Sequence, residues 1–284
     1  MKLSLYQVII YFGLLMNAAT CQSQDNIIND APIRLRTWID GTAYTASGFQ
    51  YLDSVHGLLI VSNRHVLYRN ERVPDSITVF SRFNPDIVSY SYTADFLSKN
   101  TFVHDSMDYD VALIKNDWTK VTSAKPIEVS IMPEQESSVE ANPVTHLFVV
   151  QEGHIDVREL VELDYGDKVL IAGYPKGFYD RTNNTAVVQT ASIATQLGSN
   201  YEGKPCFLVD KSLIGGSSGS LTLAEIPKPF VNDKGEVKWV QNYKYVFLGV
   251  YSSHFNKVDK RDGTRIGFSR IWYPSVIQDI IQKM

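Results

Sequence analysis

Cysteine is scarce in this 284-residue sequence, in which Cys21 and Cys206 are the only two. Two cysteines cannot form the framework of a disulfide-rich domain, and they lack the ligand spacing of a structural zinc site. Both of those protein classes are therefore excluded. Cys206 lies within the apolar run Pro205–Val209, which predicts a buried thiol.

Clusters of positive charge are also missing. The sequence has 27 Lys and Arg against 31 Asp and Glu, a net charge of −4, and no run of basic residues stands out. A nucleic-acid-binding surface carries such a basic patch, so nucleic acid is not expected as the main ligand. No internal repeat is found. Hydrophobic residues make up 44% of the chain, enough for the core of one large domain or two small ones.

Long hydrophobic runs are absent as well, and the longest near the start, Val8–Met16, is too short for a comfortable membrane span. It follows the charged Lys2 and precedes the small residues Ala18 and Ala19, which is the pattern of a secretory signal peptide over residues 1–21. The end of this segment resembles a loose bacterial lipobox, in which Cys21 would be lipidated; ordinary signal cleavage nearby is the alternative. We expect export to the periplasm or the medium, with Cys21 as a candidate lipid anchor.

The rest of the chain contains short apolar or alternating runs separated by turn residues, which predicts an all-β barrel or sandwich. A polar, acidic stretch suggests a linker over 126–142 between two halves, 26–125 and 143–284. Only the end is clearly helical, with Pro274 at its start. Examples of the predicted strands are Leu58–Val61, Ser76–Phe80, Val88–Tyr92, Val111–Lys115, His146–Val150, Lys168–Ala172, Ala186–Thr190, Phe207–Val209, Tyr245–Tyr251 and Arg265–Phe268.

Three short segments carry residues suited to nucleophilic catalysis. His65 follows an apolar strand, Asp110 stands at the head of another, and Ser218 lies in a Gly/Ser loop. Each is common by itself. Together they supply a hydroxyl nucleophile, a base to accept its proton and a carboxylate to orient that base. Asp108 is a rival carboxylate, because residues two apart in an extended strand face the same side.

Six motifs in order resemble those of the chymotrypsin-fold serine peptidases, with the greatest likeness to a bacterial trypsin-like group that includes HtrA-type proteases and glutamyl endopeptidases. The likeness spans about residues 42–270. The motifs are Thr45–Phe49, Val61–Val66, Asp110–Ile114, Gly173–Pro175, Gly216–Ser220 and Gly249–Ser253.

The resemblance implies a fold and a set of catalytic roles. The fold would be two antiparallel six-stranded β-barrels, with the active site between them and a short C-terminal helix. His65 would be the general base, Asp110 its orienting carboxylate and Ser218 the nucleophile. The backbone N–H groups of Gly216 and Ser218 would form the oxyanion hole. No metal or cofactor is implied, and the substrate would be a polypeptide.

The resemblance also implies substrate-binding residues. An extended peptide would lie along Tyr251, Ser252 and Ser253, and Ser212 would lie near the base of the primary pocket. No acidic residue stands at that position, so a preference for Lys or Arg is not expected. His254 could face an acidic side chain, as a histidine does in glutamyl endopeptidases. No second domain such as a PDZ follows, so we expect a monomer.

Two other readings of the sequence stay open. Gly215–Gly219 also fits the G-x-S-x-G elbow of α/β-hydrolases, with Ser217 as nucleophile and Asp233 and His254 as partners. The missing strand–helix alternation argues against that esterase fold. The second alternative is a catalytically silent chymotrypsin-fold module kept for binding.

Overall fold

The structure is a computed structural model that describes residues 27–83, 86–116, 125–126, 150–151, 163–231, 237–252 and 267–284. Several residues of the sequence predictions lie outside these ranges. They are Cys21 with the signal segment, nearly all of the 126–142 linker, Asp233, Ser253 and His254. The predicted strand His146–Val150 is outside too, except for its last residue.

The first sheet contains the N-terminal strands. It comprises β1 (Pro32–Ile39), β2 (Thr42–Asp53), β3 (Gly57–Ser62), β4 (Ser76–Phe83), β5 (Asp86–Thr93), β6 (Thr101–Val103), β7 (Ala112–Lys115), β8 (Lys125–Pro126) and β9 (Val150–Gln151). The order is β6-β7-β3-β2-β1-β4-β5-β8, all antiparallel, and β9 pairs with β2 in parallel. Because β8 and β9 have only two residues each, seven strands form the body of this curled sheet.

The second sheet contains β10 (Lys168–Gly173), β11 (Val187–Ser192), β12 (Cys206–Val209), β13 (Leu221–Val231), β14 (Val237–Ser252) and β15 (Ser269–Trp272). Their order is β11-β10-β13-β14-β15-β12, and every pair is antiparallel. An antiparallel bridge between Ile193 and Val209 joins the two edges of the sheet. The predicted all-β architecture of two antiparallel units is therefore confirmed, with the six predicted strands in the second sheet and seven main strands, where six were predicted, in the first.

In the described part of the chain, four short α-helices accompany the sheets: α1 (Ile27–Asp30), α2 (Arg64–Leu67), α3 (Ala94–Asn100) and α4 (Pro274–Ile281). The predicted C-terminal helix is confirmed, and its apolar stripe of Val276, Ile277, Ile280 and Ile281 is buried. Helix α3 was not predicted. It is too short to show a clear helical period, although its N-cap Thr93 accepts a hydrogen bond from the Phe96 N–H.

One predicted strand is displaced. Gly267 and Phe268, the described part of the predicted strand 265–268, are exposed and precede β15, which begins at Ser269. Pairing explains the shift, because Val209 of β12 faces Ser269 and continues the ladder only from that residue onwards. The aromatic and β-branched composition of 265–268 resembled a strand, but Gly267 and Phe268 pair with no strand among the described residues.

Three apolar clusters hold the fold together. One lies within each curled sheet, and the third lies between the sheets. This third cluster joins Phe49 and Leu113 of the first sheet to Phe247 of the second and to the buried face of α4. Cys206 belongs to it and is fully buried, as predicted, and burial raises the pKa of its thiol to about 11. The thiol is therefore protonated at neutral pH.

A buried carboxylate at the end of β2 predicts sensitivity to acid. Asp53 is 3% exposed and accepts hydrogen bonds from the N–H groups of Val55 and His56, and its Oδ1 lies 2.8 Å from His56 Nδ1. Burial alone would raise the pKa of Asp53, but these hydrogen bonds together outweigh it and lower the pKa below its ordinary value. The resulting stabilisation is fully present above the unfolded pKa of about 4 and is lost as the pH falls through the lowered folded value.

We expect Asp53→Asn to reduce the free energy of unfolding at pH 7 by about 1–3 kcal/mol, the range for hydrogen bonds to a charged group. The deficit should shrink as the pH falls through the lowered pKa of Asp53, because the wild-type carboxylate then becomes protonated as well. Urea unfolding at several pH values measures both effects. Asp95→Asn is the matched control, because Asp95 is exposed and its pair with Lys99 contributes little. An equal deficit at every pH would contradict the prediction.

Candidate active site

His65 is placed by the turn that follows β3. Asn63 is fully buried, and its Nδ2 donates to the backbone oxygen of Asp110 at 2.7 Å. The backbone then enters α2, in which the N–H groups of Val66 and Leu67 both donate to the Asn63 carbonyl. Asn63 therefore fixes the start of the helix that carries His65 to the segment that carries Asp110.

His65 and Asp110 form a close hydrogen-bonded pair. The His65 Nδ1 lies 2.8 Å from Asp110 Oδ2 and 3.0 Å from Oδ1, and the His65 backbone N–H donates to Oδ1 at 3.0 Å. An ionised carboxylate only accepts hydrogen bonds, so Nδ1 carries the proton. In the neutral ring, Nε2 is then the atom that can accept a proton.

A third side chain contacts the pair of His65 and Asp110. Ser252, at the end of β14, donates its hydroxyl to Asp110 Oδ2 at 2.7 Å. Burial alone would raise the pKa of Asp110, but hydrogen bonds from His65 and Ser252 and the attraction of the His65 ring outweigh it and lower the pKa below its ordinary value. Asp110 is therefore ionised at neutral pH.

The rival carboxylate, Asp108, lies elsewhere. Its side chain is 67% exposed and its Oδ2 lies 3.0 Å from Lys204 Nζ. The segment before Asp110 is a turn, and β7 begins only at Ala112, so the alternation of an extended strand does not apply there. The structure brings Asp110, and not Asp108, to His65.

The loop before Asp110 is tied to the C-terminal helix. Lys283 forms an ion pair with Asp105, and His104 Nε2 lies 3.9 Å from the Oδ2 of Asp279. No local sequence pattern indicates this arrangement, because the two segments are separated by more than half of the chain. These contacts place α4 in a supporting role for the candidate site.

Aromatic packing also stabilises the loop before Asp110. The Tyr109 ring lies between the rings of His104 and Trp272, with centroid distances of 4.4 and 5.4 Å. Arg64, next to His65, donates to the backbone oxygens of His104 and Ser106. The loop is thus held from both the helix that carries His65 and the strand β15.

Ser218 lies in a tight turn that enters β13. Ser47 of β2 contacts this turn twice, because its hydroxyl donates to the Gly216 oxygen at 2.7 Å and its N–H donates to the Ser218 oxygen at 3.0 Å. Gly216 has φ +91°, and a Cβ there would lie 2.5 Å from the backbone nitrogen of Lys176. Only glycine fits this position without displacing the chain.

The turn also packs against the segment that leads to His65. A Cβ on Gly219, which has φ +85°, would overlap the Ser62 hydroxyl. Ser62 in turn donates to the Ser47 oxygen at 2.7 Å. Ser218 is 6% exposed. The structure therefore places the Ser218 turn against the first sheet three residues before His65.

The predicted oxyanion donors belong to this turn. They are the backbone N–H groups of Gly216 and Ser218, and Gly216 has a φ of +91°. The neighbouring Ser217 is 1% exposed, and its hydroxyl finds no partner among the described residues. A side chain so enclosed is poorly placed to attack a substrate, which disfavours Ser217 as the nucleophile.

The predicted substrate-binding residues occupy different environments. Ser212 is exposed, whereas the next residue, Leu213, is buried. Tyr251 is fully buried and Ser252 is 2% exposed. Sequence reasoning did not foresee the contact of Ser252 with Asp110, and no local signal could have shown it. Ser253 and His254 lie outside the described residues, so their roles stay predictions.

The described residues also show two absences. No group of three or more His, Cys, Asp or Glu side chains there could hold a metal ion. In the same residues, no helix has the length and apolar character needed to cross a bilayer.

Comparison with known proteins gives structural similarities only. No family model matches the chain, and no curated protein matches it. The protease Anisep from Arthrobacter nicotinovorans is 12% identical with a TM-score of 0.45, over 89% of this chain and 94% of that one. The thermostable serine protease AL20 from an extremophilic microorganism is 9% identical with a TM-score of 0.47, over 92% and 98%. An inactivated protease paralogue from the scabies mite is 15% identical with a TM-score of 0.41, over 93% and 99%. Identities this low assign no activity to this chain.

Proposed function

We propose that the protein is an exported serine endopeptidase that hydrolyses peptide bonds through an acyl-enzyme. The observation that carries the proposal is the unit formed by His65, Asp110 and Ser252 beside the turn that bears Ser218. A solvent-accessible imidazole held by an ionised, hydrogen-bonded carboxylate is the arrangement that general-base catalysis needs.

The proposed reaction uses only side chains and backbone groups of this chain. Ser218 Oγ attacks the scissile carbonyl carbon while its proton passes to His65 Nε2. The negative oxygen that forms accepts hydrogen bonds from the N–H groups of Gly216 and Ser218. The imidazolium then gives its proton to the leaving amine, and the C–N bond breaks to leave an ester on Ser218.

Water completes the cycle. It attacks the ester as His65 Nε2 takes one of its protons, and the same proton returns to Ser218 Oγ when the ester bond breaks. Asp110 stays ionised throughout and stabilises the imidazolium at each step. The chemistry needs no metal or cofactor. The subgroup of chymotrypsin-fold peptidases that the motifs resemble, HtrA-type or glutamyl endopeptidases, remains part of the proposal.

Labelling with a fluorescent serine-directed phosphonate tests the proposal. Such a probe reacts only with an activated serine, so folded wild-type protein over residues 22–284 should be labelled and its His65→Ala variant should not. Circular dichroism of both proteins shows that they are folded. A folded wild-type protein that takes no label would contradict the proposal and favour the silent binding module.

Activity should rise with pH. Only a neutral imidazole can accept the Ser218 proton, so kcat/KM for a peptide substrate, measured between about pH 5 and 8, should increase with pH. The lowered pKa of Asp110 keeps the carboxylate ionised over that whole range, so its titration should not appear in the profile. A flat profile would argue against a histidine base.

Export is proposed from the sequence of residues 1–21 alone. We expect the mature protein in the periplasm or the medium, and in the membrane fraction when Cys21 is lipidated. Fractionation of cells that express the wild type and Cys21→Ser measures both. Membrane recovery of both proteins alike would contradict the lipid anchor.

A further inference from the structure

Tyr251 lies directly beside the proposed nucleophile. Its backbone N–H donates to the Ser220 oxygen at 3.0 Å, and its own oxygen accepts from the Gly219 N–H at 2.9 Å. These two bonds join the end of β14 to the residues that follow Ser218. The position of the Tyr251 side chain is therefore fixed relative to the reacting hydroxyl.

The Tyr251 ring points away from the catalytic pair. Successive side chains of a strand face opposite sides, and the hydroxyl of the next residue, Ser252, faces Asp110. The Tyr251 ring instead enters the interior of the second sheet, where it packs in the cluster that contains Leu213 and Ile271.

The Tyr251 hydroxyl ties three segments together. It accepts a hydrogen bond from the Leu213 N–H at 2.8 Å and lies 2.8 Å from Ser269 Oγ. The first partner belongs to the segment before Gly216, and the second begins β15. The side chain is fully buried, and burial raises the pKa of its hydroxyl, so it is neutral under all ordinary conditions.

The same three segments surround the place where a substrate side chain must go. In the proposed reaction, the attacked carbonyl oxygen binds the N–H groups of Gly216 and Ser218. The side chain of that substrate residue cannot point towards His65 and Asp110, because these occupy one side of the nucleophile. It would enter on the other side, between the segment before Gly216 and the end of β14, next to the buried Tyr251 ring.

We infer that Tyr251 closes the primary substrate pocket, so that the enzyme cleaves after residues with small side chains, namely glycine, alanine or serine. This inference rests on the proposed function. A larger side chain would have to displace a fully buried ring and break both of its hydrogen bonds. The loss of both hydrogen bonds and of the packing around the ring would weaken binding of the larger side chain.

The inference separates this chain from an acid-specific peptidase. A pocket for glutamate needs room for the side chain and a donor aimed at its carboxylate. The Tyr251 hydroxyl is already engaged with Leu213 and Ser269, and the ring takes the room. A preference for glutamate, which the sequence analysis associated with His254, would therefore contradict the inference.

A peptide panel with Ala, Phe, Lys or Glu before the scissile bond tests the inference on the wild-type protein. We expect kcat/KM for the alanyl peptide to exceed the others by about 10-fold or more, since differences of one or a few methylenes already give 10–200-fold. A small alkyl phosphonate probe is applied in parallel. Labelling together with a preference for Phe, Lys or Glu overturns the inference and keeps the proposed function, whereas a folded protein with neither labelling nor cleavage overturns both.

Two substitutions test whether the Tyr251 ring causes the preference for small side chains. Tyr251→Ala removes the ring and should raise kcat/KM for the phenylalanyl peptide relative to the alanyl one by about 10-fold or more. Tyr251→Phe is the matched control, since it keeps the ring and loses only the hydrogen bonds, and it should keep the preference for alanine. A folded Tyr251→Ala protein with the wild-type preference contradicts the inference. Should that variant fail to fold, the wild-type panel still decides.

Discussion

Turnover of a peptide substrate should fall about 10⁶-fold in Ser218→Ala, the scale of loss when an activated serine nucleophile is removed. The methyl group cannot attack the carbonyl, and water lacks the fixed position of the Ser218 hydroxyl. The variant should fold normally, because the contact between Ser47 and this turn uses the Ser218 backbone oxygen and not its side chain. Rates of peptide cleavage at saturating substrate, with circular dichroism of both proteins, measure the effect.

The neighbouring serine supplies the control. Ser217 is equally close to the glycines of the turn, but its hydroxyl is enclosed and finds no partner among the described residues. Ser217→Ala should therefore change the rate by no more than a few-fold. The opposite pattern, an inactive Ser217→Ala protein beside an active Ser218→Ala protein, would overturn the assignment and revive the esterase reading. The antiparallel sheets already disfavour that reading, since an α/β-hydrolase needs a parallel sheet between helices.

The Asp110→Asn substitution should lower kcat by about 10⁴-fold with the geometry kept. The carboxylate accepts from His65 Nδ1, but an asparagine amide can also donate to it. When the amide donates to Nδ1, the imidazole adopts the tautomer with its proton on Nε2. That nitrogen can then no longer accept the Ser218 proton. The loss of negative charge also removes the stabilisation of the imidazolium. Steady-state kinetics measure the loss.

Asp108→Asn is the matched control, because it makes the same chemical change two residues away. Asp108 is exposed and contacts Lys204, and an exposed pair of this kind contributes at most about 1 kcal/mol to stability. Its substitution should leave kcat within a few-fold of the wild type. A severe loss in Asp108→Asn together with a mild one in Asp110→Asn would show that the wrong carboxylate has been assigned.

The sequence predicted the elements whose residues repeat with a strong local period. The strands β3, β4, β10 and β14 are apolar or alternating, and the stripe of α4 repeats with helical spacing. Helix α3 and the start of β15 were missed for one physical reason. Each is short, and its limits are set by the strand or core that it contacts, which a local pattern does not contain.

The candidate site likewise has a part that the sequence predicted and a part that it did not. Motifs located His65, Asp110 and Ser218, because each motif is a continuous stretch. The choice between Asp108 and Asp110 depended on the turn before Asp110. The sequence did not predict this turn, because an apolar strand follows it directly. The hydroxyl of Ser252 reaches Asp110 across 142 residues of sequence. The two side chains meet only because β14 pairs within its sheet. The spacing of residues along the sequence does not predict this contact.

The ties between α4 and the loop before Asp110 have a consequence for how the protein is made. A chain emerges from the ribosome, or threads through a membrane, with its N-terminus first. At about 5–20 residues per second, Lys283 is synthesised roughly 10–35 s after Asp110. During that interval the loop lacks its contacts with Trp272, Asp279 and Lys283, although Arg64 is already present. The support of the candidate site from α4 and β15 is therefore complete only after residue 283 has been synthesised.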